Sequence, residues 1–145
     1  MNKAYYVIEP EVAGGWGKNT IFTRTPGTPT TVHKLHFEFA GWLGDELLES
    51  TPCYIVTERL ANEIQREALT GARFDDVEVT TSDQFRELSP KQLLPNFRWL
   101  KIEGKPAHDD FGITSDLRLV VSEGALQLLK RVGISHAASV LPFEG

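Results

Sequence analysis

The chain has 145 residues, a size that suits one domain with a proper hydrophobic core. Apolar residues make up 41% of it and charged residues 24%, which is typical of globular proteins and excludes a largely disordered chain. The formal net charge of −5 argues against nucleic acid as the main partner, and no apolar run approaches the ~20 residues that span a bilayer.

The N-terminal third of the chain is predicted to be mostly extended. Alternating apolar and polar residues, many of them β-branched or aromatic, predict strands over residues 4–9 and 32–39. The glycine-rich segment 14–19 predicts a loop. Residues 44–49 are expected to form a short helical turn. No role is assigned to residues 10–31 beyond a possible share in partner binding.

A short phrase occurs twice in the rest of the chain and is its most informative feature. Each copy reads as an apolar strand, a hydroxyl residue followed by glutamate, an amphipathic helix, a glycine and a second strand. The copies span residues 53–79 and 118–140. Thr57 and Ser122 are expected to cap the helices, because their hydroxyls can accept hydrogen bonds from the free amides of the first turn.

The same phrase predicts how the two helices end and how they pack. Gly71 and Gly133 are plausible C-terminal caps. We predict two strand–helix–strand units whose helices pack on a shared sheet. Strand, cap and helix is also a common local pattern, so true internal similarity and coincidence both remain open.

The remaining elements complete the predicted fold. Ser82 is a possible N-cap for a short helix, and residues 97–102 read as another strand. The predicted fold class is α+β: a single domain over residues 1–145, with a mixed β-sheet, packed helices and two similar strand–helix–strand units.

The familiar catalytic and metal-binding motifs are absent from the sequence. Residues 12–20 resemble the end of a phosphate-binding loop, but Val12 replaces its first glycine and Asn19 stands where Ser or Thr should follow the lysine. Ser122 lacks the Gly-x-Ser-x-Gly context of a nucleophile elbow. The four histidines show no metal-ligand spacing. We therefore expect no catalytic residue, no metal and no cofactor.

The cysteine content and the N-terminal residues indicate a compartment. Cys53 is the only cysteine, which excludes an internal disulfide and fits a reducing environment. It precedes an apolar strand without a basic neighbour, so we expect a buried and inert thiol. Residues 1–6 lack the apolar stretch of a signal peptide. These features predict a cytoplasmic protein.

Acidic residues cluster in two stretches that contain no Lys or Arg, residues 35–58 and 106–117. The first also contains a tryptophan, and an aromatic ring among acids suits a surface that binds a basic protein. The alternative is that Trp42 belongs to the core and the acids are simply solvated. The predicted partner-binding residues are Trp42, Asp45, Glu46, Asp109 and Asp110.

Several short segments together resemble a bacterial protein family. They are Gly41-Trp42-Leu43-Gly44-Asp45-Glu46-Leu47, Tyr54-Ile55-Val56-Thr57-Glu58-Arg59-Leu60, Leu94-Pro95-Asn96-Phe97, Gly104 with Asp109-Asp110-Phe111-Gly112, and Leu119-Val120-Val121-Ser122-Glu123-Gly124-Ala125. They are similar to immunity proteins of polymorphic toxin systems, the group typified by a myxobacterial immunity domain. The resemblance spans most of the chain from residue 40 onward. It implies a cytoplasmic protein, encoded beside a secreted toxin, that binds and blocks that toxin without catalytic residues.

The sequence leaves two classes of function open. The first is an immunity protein that neutralises a cognate toxin by protein–protein interaction. The second is a small enzyme or ligand-binding domain whose pocket uses His108, Asp109 and Asp110, since paired carboxylates can bind a cation or act as acid and base. A toxin-like reading frame beside the gene favours the first class. A metal or metabolite bound to the purified protein favours the second.

Overall fold

The computed structural model describes residues 4–144, and strands make up most of the regular backbone in that range. The elements are, in chain order, β1 (Tyr5–Glu9), β2 (Gly14–Trp16), β3 (Ile21–Thr23), β4 (Thr31–Lys34), β5 (His36–Phe39), β6 (Leu47–Ser50), β7 (Cys53–Thr57), α1 (Glu58–Arg66), β8 (Ala72–Asp75), β9 (Glu78–Thr81), α2 (Asp83–Leu88), β10 (Phe97–Ile102), β11 (Phe111–Ile113), β12 (Leu119–Ser122), α3 (Glu123–Val132) and β13 (Ser139–Pro142). None of these helices is long and apolar enough to cross a membrane.

The strands form three sheets and a separate hairpin. The first sheet has the order β6-β7-β10-β8, the second β11-β12-β1-β13 and the third β2-β5-β9, while β3 and β4 form the hairpin. The pairing of β5 with β9 is parallel, and the other strand pairs in residues 4–144 are antiparallel. Helices and strands thus mix in one domain, and the predicted α+β class is confirmed.

Two strand–helix–strand units are present, and they share one topology. The strand predicted to close the first unit, at residues 77–79, is wrong, because that segment overlaps β9 of the third sheet and the closing strand is β8. In the first unit β7 leads through α1 to β8, and in the second β12 leads through α3 to β13. An antiparallel strand lies between the two strands of each unit: β10 in the first and β1 in the second. An antiparallel edge strand completes each sheet, β6 beside β7 and β11 beside β12. This shared topology favours internal similarity over coincidence.

The expectation that both helices pack on a shared sheet is wrong. Helix α1 packs on β7 and β10 of the first sheet, whereas α3 packs on β12 and β1 of the second, and the helices contact each other. The reason is that each unit completes its own sheet with a strand from elsewhere in the chain. The larger hydrophobic core lies between these layers. Its fully buried residues include Leu47, Val56, Leu60, Phe111, Leu119, Val121 and Leu129.

A second, aromatic core covers the opposite face of the first sheet. Along β7, Val56 contributes to the larger core and Ile55 to the aromatic one, so successive side chains are buried on opposite faces. This burial explains why the strand reads as a continuous apolar run rather than an alternating one. The third sheet and α2 pack against this face of the first sheet. The buried residues of this core include Leu35, Phe37, Phe39, Phe85, Phe97 and Trp99.

The three predicted N-caps are confirmed. Thr57, Ser82 and Ser122 each accept a hydrogen bond at 3.1 Å from the backbone amide three residues on. Gly133 ends α3 as predicted, with φ of 142°. Most of the helix ends were therefore predicted correctly from a capping hydroxyl or a terminal glycine.

Gly71 does not end α1, contrary to the prediction. The helix ends at Arg66. Ala68, two residues later, adopts a positive φ of 53°. Gly71 instead allows a close approach between loops, since a Cβ there would lie 2.1 Å from the carbonyl oxygen of Phe111.

Three further local predictions in the first half of the chain are wrong. The single strand predicted over residues 32–39 is two strands, β4 and β5, separated at the buried Leu35. The predicted helical turn at 44–49 is a bend followed by β6, and the predicted loop at 14–19 begins with β2. Pairing with distant strands decides these conformations, and no local signal reports it.

Candidate partner-binding groove

The predicted binding residue Asp45 lies inside the protein. It is 2% exposed, and its carboxylate accepts hydrogen bonds from the backbone amide of His136 at 2.8 Å and from the ring Nδ1 at 3.0 Å. The expectation that Asp45 contributes charge to an acidic surface is therefore wrong. The residue fastens the loop before β6 to the loop after α3.

Glu46 and Asp110 occupy equivalent positions in the two units. Each directly precedes the edge strand of its sheet, and each carboxylate accepts a hydrogen bond at 2.7 Å from a helix-capping hydroxyl, Thr57 or Ser122. The amides of the same capping residues donate to the backbone carbonyls of Glu46 and Asp110, at 3.0 and 2.9 Å. Both acids are half-buried and support the start of a helix.

Asp109 is also engaged within its own loop. Its carboxylate accepts a hydrogen bond of 2.8 Å from the amide of Lys105, and this bond lowers the pKa of Asp109. Asp110 accepts a further bond of 2.8 Å from the amide of Thr70. The nearest histidine, His108, is exposed and lies 3.6 Å from Asp109. The carboxylate pair thus organises the loop between β10 and β11.

Trp42 combines the two roles that the sequence left open. Its ring meets Phe39 and Phe97 edge-on, with centroids 6.5 and 5.9 Å away, and its indole N–H donates to the carbonyl of Asp45 at 2.9 Å. These contacts fasten one side of the ring to the aromatic core. The residue is only half-buried, and it also lines a surface cavity.

That cavity is an apolar depression beside exposed aliphatic side chains, and we call it the tryptophan groove. Its volume is about 580 Å³, and Trp16 and Trp42 both line it. Val12 and Leu43 also line it and are 69% and 66% exposed. The groove therefore unites the tryptophan of the acidic stretch with one from the unassigned segment 10–31.

The walls of the groove are held in place by backbone contacts. Strand β2 runs beside β5 so closely that a Cβ on Gly14 would lie 2.0 Å from the carbonyl oxygen of Glu38. On the other side, the carboxylate of Glu11 accepts hydrogen bonds from the amides of Leu43 at 2.7 Å and Asp45 at 3.1 Å. The rim is consequently preorganised.

The charge around the groove is negative. Glu11 and Glu38 line the groove. Among the described residues, no Lys, Arg or His lines it. Glu38 is exposed, whereas Glu11 is 6% exposed. The faces of tryptophan rings attract cations as well as apolar groups. The groove can therefore accommodate an apolar or a basic side chain of a partner.

Sequence reasoning missed four of the residues that shape the groove: Glu11, Val12, Glu38 and Leu43. Glu11, Val12 and Leu43 lie in short, irregular segments that carry no periodic pattern, whereas Glu38 lies in β5 and was considered only as a member of the acidic stretch 35–58. The one signal available in the sequence was the concentration of glycine and tryptophan in residues 14–17.

No family model matches the chain, and no curated protein matches it. The resemblance to immunity proteins consequently remains a prediction carried by the short segments quoted above.

Proposed function

We propose that the protein is an immunity protein that binds and neutralises a cognate bacterial toxin, and that the tryptophan groove is its contact surface. The observation that carries the groove assignment is the pair Val12 and Leu43, which expose 69% and 66% of their surface beside two tryptophans. Exposed apolar groups gathered around a concave site mark binding surfaces.

The groove has the composition of a binding hot spot. Tryptophan is among the residues that contribute most to protein–protein affinity, especially where surrounding contacts exclude water. The backbone hydrogen bonds of Glu11 hold the rim before any partner arrives, which lowers the entropy lost on association. The proposed partner is a toxin protein encoded by a neighbouring gene, and the proposed site of action is the cytoplasm.

The acidic lining indicates the charge of the partner. Glu38 is exposed at the groove, so a basic toxin surface would be attracted to it. Complementary charge raises association rates above the ~10⁵–10⁶ M⁻¹s⁻¹ of unsteered pairs. Glu38→Lys should therefore slow association more than it speeds dissociation, and added salt should reduce the difference from the wild type.

The direct test measures binding of the purified chain to the product of the neighbouring gene. Val12→Ser and Leu43→Ser should each weaken the complex about tenfold or more, because an apolar anchor is lost from the interface centre. Both side chains are largely exposed, so the fold should persist. The matched control is Leu141→Ser, which alters an aliphatic residue that is 59% exposed on the second sheet.

The outcomes separate the function from the surface. Absence of any complex with the neighbouring gene product would contradict the toxin-neutralising function. A complex that is unaffected by both groove variants, or weakened equally by Leu141→Ser, would move the contact away from the groove. Turnover of a small molecule that is lost on Asp110→Asn would instead support the alternative, a small enzyme.

A further inference from the structure

Two buried carboxylates and an imidazole meet beside the tryptophan groove. One ligand atom each from Glu11, Asp45 and His136 lie within 4.8 Å of one another. We propose that these three residues bind a divalent cation of the zinc class. This inference does not rest on the proposed toxin-binding function.

The first argument is that two buried carboxylates share at most one neighbouring basic group, His136, within the described residues. Glu11 is 6% exposed and Asp45 is 2% exposed. Within residues 4–144, no Lys or Arg forms an ion pair with either carboxylate, and His136 is the only basic group beside Asp45, at 3.0 Å. Buried charges are normally paired or coordinate a metal, because removing them from water is costly.

The second argument is that Glu11 keeps free acceptor positions while facing a cavity. Each of its oxygens accepts one backbone hydrogen bond, from Leu43 or Asp45. A carboxylate oxygen has two acceptor positions, so one on each oxygen remains for a cation. Glu11 also lines the groove, which gives an ion a route from solvent. A nine-tenths buried acid without a cationic partner, aimed at an open cavity, indicates a ligand.

The ligand types suit zinc better than magnesium or calcium. Zinc accepts imidazole nitrogen and carboxylate oxygen at about 2.0–2.2 Å, whereas magnesium and calcium prefer oxygen alone. Three protein ligands leave a coordination position for water or for a group of a partner. The hydrogen bonds to Glu11 orient its carboxylate, as outer contacts do in metal sites. For Nδ1 of His136 to bind the ion, the ring would have to adopt the tautomer whose proton is on Nε2, which leaves a lone pair on Nδ1.

The ligands come from distant parts of the chain. Asp45 is 34 residues from Glu11 and 91 from His136, so no spacing motif reports them. The ion would connect the segment after β1, the loop before β6 and the loop after α3. Since the loop before β6 carries the groove rim, the ion would also stiffen that rim.

The test uses the full chain without an affinity tag, after treatment with a chelator. Titration with Zn²⁺, followed by calorimetry and by equilibrium dialysis, should show a single strong site per chain and a higher melting temperature. His136→Ala and Glu11→Gln should weaken binding by about tenfold or more. Mg²⁺ at the same concentration should not compete.

The matched control is His108→Ala, which removes another exposed histidine beside a carboxylate, Asp109 at 3.6 Å. This variant should bind Zn²⁺ as the wild type does. Glu11→Gln removes a buried charge and could unfold the protein, but His136 is 44% exposed, so His136→Ala decides the matter. Absence of stoichiometric binding, or binding that survives His136→Ala, would overturn the proposal.

Discussion

Removing the Ser122 hydroxyl should destabilise the protein by more than the loss of a helix cap alone. This hydroxyl accepts a hydrogen bond of 3.1 Å from the amide of Ala125 and donates one of 2.7 Å to the carboxylate of Asp110. Ser82 caps α2 with the same 3.1 Å geometry, to the amide of Phe85. The pair Ser122→Ala and Ser82→Ala therefore isolates the contribution of the carboxylate.

The magnitude follows from the two bonds. Loss of an N-cap costs about 1 kcal/mol, and a hydrogen bond to a charged group contributes about 1.5–3 kcal/mol. Because Ser122 is only 8% exposed, water cannot readily replace either bond. We expect Ser122→Ala to lower the free energy of unfolding by about 2–4 kcal/mol and Ser82→Ala by about 1 kcal/mol.

Urea denaturation followed by tryptophan fluorescence measures both values. Thr57 makes the equivalent pair of bonds in the first unit, so Thr57→Ala should resemble Ser122→Ala, and Thr57→Ser should restore most of the stability. Equal losses for Ser122→Ala and Ser82→Ala would refute the reasoning, since the carboxylate bond would then contribute nothing.

Three further predictions concern single residues. Burial raises the pKa of Cys53 to about 12, so its thiol should not react with an alkylating reagent at pH 8 until the protein is unfolded. Burial also raises the pKa of Glu49 above 4.5, so the folded state binds this proton more tightly and stability falls as pH rises through the folded pKa. Glu49→Gln should therefore increase stability near pH 7. Gly124→Ala should stabilise α3 by up to about 1 kcal/mol, whereas Gly71→Ala, at φ of 87°, should destabilise by about 2 kcal/mol or more.

Each of these predictions has a contrary result. Rapid labelling of Cys53 in the folded protein would show that the thiol is accessible. An unchanged or lower midpoint for Glu49→Gln at pH 7 would show that its charge is not destabilising. Equal effects of the two glycine substitutions in chemical denaturation would contradict the assigned backbone conformations.

The candidate site was predicted less well than the fold. Trp42 lines the groove, and so does Trp16, which lies in the segment whose role was left open. The acids were predicted from their charge alone, which does not report burial. Asp45 is buried because His136 approaches it across 91 residues of sequence. The carboxylates of Glu46 and Asp110 accept hydrogen bonds from capping hydroxyls that lie 11 and 12 residues away in sequence.

The sequence by itself determined the local elements that depend on neighbouring residues. The caps at Thr57, Ser82 and Ser122 follow from hydroxyls that reach amides three residues on. The first strand and the helix of each unit follow from a short apolar run and a helical stripe. These interactions span a few residues, so the order of the chain contains them.

Only the tertiary structure decided which strands are neighbours and which acids face water. The central strands β1 and β10 enter their sheets from outside the repeated phrases, so the two helices cover two sheets rather than one. The groove arises where segments 11–16 and 38–43 meet. Backbone pairing and burial between distant segments are long-range contacts, and their free energy depends on the whole fold rather than on any local pattern.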